Sequence, residues 1–265
     1  MTYDSDIRPI SPPKDPGQAE RFPPAVHEPF QAGRPNGRLI ADVGAMLSLL
    51  KQDLLDMPVL DFGAGTGWIS EFCARMGLDV IAIDIQPELG TSLELRSEAD
   101  RRVDRSRIRY AIADGHRMPV PDGSVGHVLC FDSLHHMRDY PMAFAEFHRV
   151  LVPGGRCIFV EPGARHSSSP ETIAFVAAQK AHDPDWIERD VVVEEIDSVA
   201  RAAGFAEGIR VVPFPLMVAN AIEAHSVDEW RRFREGDPDL RTAHCDALGA
   251  INHGDRVVFL ADRGA

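Results

Sequence analysis

The chain has 265 residues, 44% of them hydrophobic, which is enough for one large globular domain with insertions. Its formal net charge of −13 argues against broad contact with a nucleic-acid backbone, which requires clustered Lys and Arg. The sequence has no signal peptide and no apolar run of about 18 residues. We therefore expect a soluble, cytoplasmic protein with neither a membrane nor a nucleic acid as partner.

The N-terminal part of the chain divides into an arm and a helix. Residues 1–35 are rich in proline and charge, a composition that disfavours both helix and sheet and predicts an extended or disordered arm. From Asn36, a helix-capping residue type, to Leu55 the apolar residues recur at helical spacing. We expect an amphipathic helix that leads into the first strand.

A glycine-rich turn follows that strand. The apolar run VLDF at 59–62 predicts a buried parallel strand, and the turn at 63–67 opens a helix near Gly67. Alternate glycines let the backbone approach a ligand closely, and the helix directs free N–H groups at that ligand. The stretch predicts a site for a small polar ligand at the carboxyl end of the strand.

Strands and helices then alternate along the chain, which predicts a parallel sheet with helices on both faces. In such a sheet, ligands bind beyond the carboxyl ends of the strands. Two insertions, 163–190 and 214–252, fall where the sheet would carry elements that cover a substrate. The predicted strands are 59–62, 80–84, 108–112, 125–131, 156–160, 205–212 and 256–260, and the predicted helices after the turn are 67–76, 87–102, 139–150, 171–180, 193–203 and 228–233.

Cysteines and basic residues give two weaker indications. The cysteines show no CxxC spacing, and three of the four lie in apolar runs, so we expect buried reduced thiols rather than disulfides or a zinc site. The segment 96–109 is visibly basic, and we interpret it as a solvated helix face.

Acidic residues stand at the ends of three successive predicted strands. Asp61 lies in the first strand, where an acid can hold an ammonium group or the glycine turn itself. Asp84 ends the second strand, about 20 residues after the turn, the spacing at which an acid accepts both hydroxyls of a ribose. Asp114 ends the third strand, where it can accept from the exocyclic amine of a purine. Ile85 and Met118 are apolar neighbours able to sandwich that ring.

A nicotinamide-dependent oxidoreductase would share the strand, the turn, the helix and the acid after the second strand. Its fingerprint G-x-G-x-x-G requires glycine at position 68, where this chain has Trp68. The Asp114-Gly115 turn also argues against this class.

Together these features resemble the class I S-adenosylmethionine-dependent methyltransferases, in their small-molecule (type 11-like) branch. The resemblance implies an α/β fold with a doubly wound, Rossmann-like, seven-stranded and mostly parallel sheet, an antiparallel last strand and helices on both faces. It implies that 36–265 is the methyltransferase domain, with 163–190 and 214–252 as substrate-covering insertions. The matching segments are VLDFGAGTG at 59–67, VIAIDIQPEL at 80–89, IADGHRMPVPDGSVGHVLCFDSLHHM at 112–137 and HRVLVPGGRCIFVEPG at 148–163.

The resemblance further implies S-adenosyl-L-methionine as the cofactor. The glycine turn would wrap its methionine end, Asp84 would hold the ribose and Asp114 the adenine amine, and the backbone near Phe131 would contact the methionine moiety. The expected cofactor-binding residues are Asp61, Gly63, Gly65, Asp84, Ile85, Asp114, Gly115 and Phe131.

The motif LHHM at 134–137 offers a candidate base, because histidine titrates near neutral pH. In family members that methylate sugar hydroxyls, a histidine of such a motif and an acid at the end of strand five resemble a catalytic pair. The expected catalytic residues are His135, as the candidate base, His136 and Glu161. We expect no metal, because adjacent histidines diverge and no third ligand is in register.

The expected reaction is methyl transfer by in-line displacement to a small molecule, most simply a hydroxyl of a sugar or natural product. An oxidoreductase that uses NAD and a non-catalytic S-adenosylmethionine-binding protein remain as alternatives. A nucleic-acid methyltransferase is disfavoured by the negative charge and by the absence of an Asn-Pro-Pro-Tyr-type motif. The expected partner is the small-molecule substrate, and a homodimer is left open.

Overall fold

The computed structural model describes residues 28–29, 37–212, 226–243, 245–246 and 256–265. Nearly all of the predicted arm, and part of the second predicted insertion, lie outside these residues. The described helices are α1 (Gly37–Ser48), α2 (Trp68–Arg75), α3 (Leu89–Ala99), α4 (Tyr140–Val150), α5 (Pro170–Lys180), α6 (Val193–Ala202) and α7 (Val227–Glu235), and the strands are β1 (Val59–Phe62), β2 (Val80–Asp84), β3 (Ile108–Ile112), β4 (Val125–Phe131), β5 (Leu151–Pro162), β6 (Arg210–Val211) and β7 (Arg256–Asp262).

The seven strands form one sheet in the order β3-β2-β1-β4-β5-β7-β6. Neighbouring strands from β3 to β5 are parallel, whereas β7 is antiparallel to both β5 and β6. The strand order reverses between β1 and β4, and such a switch point is where ligands bind in open α/β sheets. The predicted doubly wound, Rossmann-like α/β sheet with an antiparallel last strand is confirmed.

Apolar residues of the central strands point alternately to two cores, one on each face of the sheet. In β4, Val128 and Cys130 pack with α4 and α6, whereas Leu129 and Phe131 pack with α1 and α2. Helices therefore cover both faces, as predicted, and the central parallel strands β1, β2 and β4 are buried because both of their faces are covered, whereas the edge strand β3 is largely exposed. None of the described helices is long and apolar enough to cross a membrane.

Two strand predictions differ from the structure. The fifth strand begins at Leu151 rather than at 156, because the glycines after Pro153 remain within the strand, with Gly154 at a φ of 77°. The predicted strand 205–212 is reduced to β6, because the first residue of that range, Phe205, packs into the core at the end of a turn after α6. Cys73, Cys130 and Cys157 are buried and Cys245 is exposed, all as free thiols, which agrees with the expectation of reduced cysteines.

Candidate active site

A cavity of about 640 Å³ opens at the carboxyl ends of β1, β2 and β4. Seven of the residues singled out from the sequence line it, and the segment 183–187 of the first insertion forms another part of its wall. The structure thus brings the strand ends, the glycine turn and the insertion together around one space. The seven sequence-predicted residues are Gly63, Gly65, Asp84, Ile85, Asp114, Gly115 and His136.

The glycine turn is fixed from both sides. Oδ2 of Asp84 accepts from the backbone N–H of Gly65 at 2.7 Å, and its Oδ1 accepts from that of Gln86 at 2.8 Å. Gly63 has a φ of 68°, and a Cβ there would lie 1.9 Å from Oγ of Ser133, so only glycine fits. A Cβ on Gly65 would meet nothing within 4 Å, which leaves the turn open toward the cavity.

Arg96 holds the same turn from behind and so departs from the interpretation of 96–109 as a solvated face, whereas Arg101, Arg102, Arg105 and Arg109 are exposed as that interpretation predicts. Its side chain is 1% exposed. The guanidinium donates to the carbonyl of Thr66 at 2.7 Å, to the hydroxyl of Thr66 at 2.8 Å and to Oε2 of Glu71 at 3.0 Å. The positive charge of Arg96 is therefore buried, and its hydrogen bonds fix the backbone of the turn.

Asp61 is buried beside the turn but is not among the described residues that line the cavity. Its Oδ2 accepts from the hydroxyl of Ser70, in the first turn of α2, at 2.5 Å. Burial raises the pKa of Asp61 to about 6, although the hydrogen bond from Ser70 opposes that shift. Of the two roles considered for this acid, the geometry favours support of the turn and the helix.

Asp114 and Gly115 form the rim of the cavity under β3. The carboxylate of Asp114 accepts from the backbone N–H of His116 at 2.9 Å and faces the imidazole Nδ1 at 2.6 Å. The first of these bonds is the main reason that the pKa of Asp114 is lowered. A Cβ on Gly115 would lie 2.4 Å from the ring of Phe62, which explains the glycine.

The apolar side chains beside this rim differ from the expected pair. Ile85 lines the cavity and is exposed, as expected. Met118 instead lies in the core, because its helix-facing side is enclosed by α4 residues, so it cannot contact a ligand. Met137 lines the cavity and is the apolar side chain that the sequence pattern missed.

The end of β4 carries a charge cluster, mostly buried, that no sequence pattern predicted. Asp132 lines the cavity and has a φ of 49°, a left-handed conformation that is uncommon for a residue with a side chain. Arg256 of β7 donates to the carboxylate of Asp132, and its Nε lies 3.1 Å from Oδ2 of Asp42 in α1. The guanidinium carbon of Arg256 lies over the ring of Phe131, 5.0 Å from the ring centroid. Phe131 is not among the described residues that line the cavity.

Glu161, at the end of β5, organises the loop that follows β4. Its Oε1 accepts from the backbone N–H groups of Ser133 and Leu134, at 3.0 and 2.9 Å. Its Oε2 lies 2.8 Å from Nδ1 of His135. This fully buried carboxylate therefore caps the single 3-10 turn that contains both histidines.

His135 lies between two carboxylates. Opposite Glu161, its Nε2 is 3.3 Å from Oε1 of Glu188, a residue of the first insertion. Burial alone would lower the pKa of His135, but the hydrogen bonds to both carboxylates raise it to about 9. His135 is buried, and it is absent from the described residues that line the cavity.

The surroundings of His136 differ from those of His135. It lines the cavity, and its Nδ1 lies 2.8 Å from the carbonyl oxygen of Ile187. Because a carbonyl can only accept, Nδ1 carries the proton and Nε2 keeps its lone pair. Burial lowers the pKa of His136, and the neighbouring charge of His135 lowers it further.

The reasons for expecting no metal do not hold in the structure. The rings of His135 and His136 do not diverge, since their centroids are 3.9 Å apart at a 45° tilt. Glu188 supplies a third group, and one ligand atom from each of the three residues lies within 4.8 Å of the others. The sequence pattern missed Glu188 because it lies in an irregular loop far from both histidines along the chain.

Comparison with known proteins gives the family of this fold. Residues 60–159 match the family model described as a methyltransferase domain. The chain is 30% identical over 183 residues to a malonyl-[acyl-carrier protein] O-methyltransferase of Hamiltonella defensa, covering 68% of this chain and 64% of the relative. It is 33% identical over 109 residues to a ubiquinone/menaquinone biosynthesis C-methyltransferase of Teredinibacter turnerae, covering 39% of this chain and 42% of the relative.

Among solved structures, the chain is similar to phosphoethanolamine N-methyltransferase 2 of Haemonchus contortus in complex with S-adenosyl-L-methionine. The TM-score is 0.58 at 20% identity, covering 84% of this chain and 52% of that one. The chain spans less than two thirds of the length of each of these three relatives. The matches agree with the predicted class I, S-adenosylmethionine-dependent family and its cofactor and not with an oxidoreductase: residues 60–159 of the chain form a methyltransferase domain.

Proposed function

We propose that this chain transfers the methyl group of S-adenosylmethionine to a hydroxyl of a small molecule. The observation that carries the proposal is the single cavity lined by the glycine turn, Asp84 and Asp114 together. A nucleoside needs acceptors for its ribose hydroxyls and its amine, and two carboxylates at neighbouring strand ends supply them.

The lining of the cavity fits the cofactor in shape and in chemistry. The open space beside Gly65 leaves room for the methionine end along the backbone of the turn. Asp84 would hold the ribose and Asp114 the adenine amine, while Ile85 and Met137 offer apolar contacts for the ring. Asp61 and Phe131 would act from outside the cavity, by supporting the turn and the loop after β4.

S-adenosylmethionine supplies a methyl group that its sulfonium already activates. What the chain must add is alignment of the acceptor with that methyl group and exclusion of water. Trp186 and Ile187 of the first insertion line the cavity beside His136, and they are suited to exclude water from that side. This agrees with the expectation that 163–190 covers a substrate.

We assign the role of base to His136 rather than to His135. A hydroxyl acceptor must lose its proton, and a base within hydrogen-bond reach of it accelerates such a step by roughly 10²–10⁴-fold. The free lone pair on Nε2 suits His136 to that task, and its position in the cavity wall gives it access to a substrate. His135 and Glu161 are then positioning residues that hold the turn on which His136 lies.

The three relatives are named as O-, C- and N-methyltransferases, so their similarity to this chain does not choose the acceptor atom. The proposal of a hydroxyl depends on His136, because a neutral amine acceptor can attack through its lone pair without prior loss of a proton. The acceptor is expected to bind in the cavity beside His136, whose ring packs against that of Trp186.

The test combines binding and turnover. Calorimetry should give one site per chain for S-adenosylmethionine and S-adenosylhomocysteine, and none for NADH. A panel of sugars and phenolic natural products, assayed for S-adenosylhomocysteine release, should then yield hydroxyl acceptors. Folded protein that binds neither sulfur compound would refute the function, and turnover with amines alone would refute the hydroxyl assignment.

A further inference from the structure

Glu188 stands at the centre of a cluster of three histidines, and the proposed reaction gives no role to Glu188 itself or to His166. Its Oε1 lies 2.5 Å from Nε2 of His166 and 3.3 Å from Nε2 of His135. Its Oε2 accepts from the indole N–H of Trp186 at 3.0 Å, and Nδ1 of His136 lies 3.5 Å away. The side chains of Glu188 and His135 are each 5% exposed, whereas those of His166 and His136 are 23% and 36% exposed, so the cluster extends from the interior to the protein surface.

Both outer imidazoles are held from behind by a second residue. Nδ1 of His135 faces Oε2 of Glu161 at 2.8 Å, and Nδ1 of His166 lies 3.2 Å from the hydroxyl of Thr172. Each partner can accept a hydrogen bond from Nδ1–H. The two Nε2 atoms then face the same carboxylate oxygen, Oε1 of Glu188. Metal-binding histidines in proteins have this second interaction almost without exception, and a carboxylate is a common partner.

We propose that His135, His166 and Glu188 bind a divalent first-row transition metal, for which Zn²⁺ is the probe. Two imidazoles and one carboxylate suit zinc or ferrous iron, whereas Mg²⁺ and Ca²⁺ prefer sites built of oxygen. Tetrahedral zinc sites hold ligand atoms roughly 3.4 Å apart, close to the separation between His135 and Glu188. His166 lies closer to the carboxylate than that, and it is outside the group His135, His136 and Glu188 whose ligand atoms already lie within 4.8 Å of one another, so it would have to move relative to both other ligands to admit the ion.

Charge balance supports the assignment. Glu161 and Glu188 are two carboxylates on either side of His135, whose imidazole can carry at most one compensating positive charge, and burial makes uncompensated charge costly. One divalent cation would neutralise both carboxylates while the two coordinating imidazoles stay neutral. His136 is not needed as a ligand, so the metal and the proposed base can coexist.

The position of the site indicates what the metal would do. His166 and Glu188 belong to the first insertion, whereas His135 belongs to the 3-10 turn after β4. An ion bound to all three would fasten the insertion to that turn and fix Trp186 and Ile187 in the cavity wall. The proposed role is structural, and it does not depend on the identity of the methyl acceptor.

The experiment uses the full chain, stripped with a chelator and then titrated with Zn²⁺ by calorimetry in the absence of S-adenosylmethionine. We expect one zinc per chain and a higher melting temperature, and Co²⁺ should give the visible absorption of a tetrahedral nitrogen and oxygen site. Glu188→Gln keeps the size of the side chain and all three histidines, and it should weaken zinc binding by more than 10-fold.

Two further variants separate this site from others. Thr172→Val removes the hydroxyl behind His166, which also accepts from the hydroxyl of Ser169 at 2.9 Å, and should weaken zinc binding by roughly 10-fold. The matched control is His182→Ala, which removes an exposed histidine of the same insertion and should leave zinc affinity unchanged. Failure of the folded chain to bind zinc, or equal binding by Glu188→Gln and the unaltered chain, would overturn the proposal. Because cofactor binding is measured separately, neither result bears on the proposed methyl transfer.

Discussion

The carboxylate of Asp84 and the backbone N–H of Gly65 form a 2.7 Å hydrogen bond that joins the end of β2 to the glycine turn. Since Oδ1 of Asp84 also accepts from the backbone N–H of Gln86, each oxygen accepts one backbone hydrogen bond and keeps a further lone pair, and the same side chain lines the cavity. The acid both shapes the turn and faces the space proposed for the ribose. Loss of the Asp84 carboxylate should therefore both release the glycine turn and remove the acceptors proposed for the ribose.

Asp84→Ala should weaken binding of S-adenosylmethionine by at least about 10-fold, because it removes acceptors for the ribose and the restraint on Gly65. Turnover at saturating cofactor should change far less. Calorimetry with S-adenosylhomocysteine measures the first effect. Asp79→Ala, an exposed acid just before the same strand, is the control and should bind normally. An unchanged Kd for Asp84→Ala would contradict the ribose assignment.

His136→Gln should lower kcat by roughly 10²–10⁴-fold, because glutamine can still donate to the carbonyl of Ile187 but cannot accept a proton. Affinity for S-adenosylmethionine should stay within about twofold. The measurement is S-adenosylhomocysteine release with a hydroxyl acceptor from the panel. His182→Ala serves as the control for loss of a histidine. Full turnover by His136→Gln would remove the residue from the mechanism.

Arg96→Ala should lower the free energy of unfolding by about 3 kcal/mol, because it deletes several buried hydrogen bonds and leaves Glu71 without one of its two arginines. Urea denaturation followed by circular dichroism measures the change. Arg102→Ala, which removes an arginine whose side chain is 79% exposed, should cost less than about 1 kcal/mol. Equal effects of the two substitutions would show that burial of Arg96 contributes nothing.

His127 should make stability depend on pH. It is fully buried in β4, and burial lowers its pKa to about 4, with help from the charges of Arg156 and Lys51. The unfolded chain binds a proton near pH 6.5 and the folded chain only near pH 4. Stability is therefore complete above pH 6.5 and is lost as the pH falls toward 4, by up to about 3 kcal/mol.

The comparison that isolates this effect is His127→Gln, whose amide oxygen can still accept from the backbone N–H of Lys51 but does not titrate in this range. The difference in unfolding free energy between the two proteins should decline steadily from pH 6.5 to pH 4. A constant difference over that range would show that His127 takes up its proton equally well in the folded state.

Sequence patterns located the strands that are built from local apolar runs. The bounds of β1, β2, β3 and β4 agree with the prediction to the residue; the runs of β1, β2 and β4 are buried, whereas β3 lies at the edge of the sheet and is largely exposed. The range 205–212 was wrong in extent, since an apolar residue such as Phe205 can be buried from a turn as well as from a strand. Periodicity does not distinguish the two.

In the candidate site, too, local sequence patterns located some residues and did not predict the environments of others. Asp84 and Asp114 could be found from their position after strands, a signal carried by the local sequence. The environments of His135 and Arg96 depend on partners distant in the chain, such as Glu188 and Thr66, and no local pattern reports them. For that reason the sequence located the two histidines but did not tell which of them faces the cavity.

Arg256 connects the last strand to the loop after β4 and to the first helix, through Asp132 and Asp42. A ribosome makes β4 and α1 long before it makes Arg256. Until β7 is synthesised, those acids lack this guanidinium, and the loop beside the cavity cannot take its final form. Capture of the cofactor should therefore be among the last events of biosynthesis, whatever the order in which the rest of the sheet condenses.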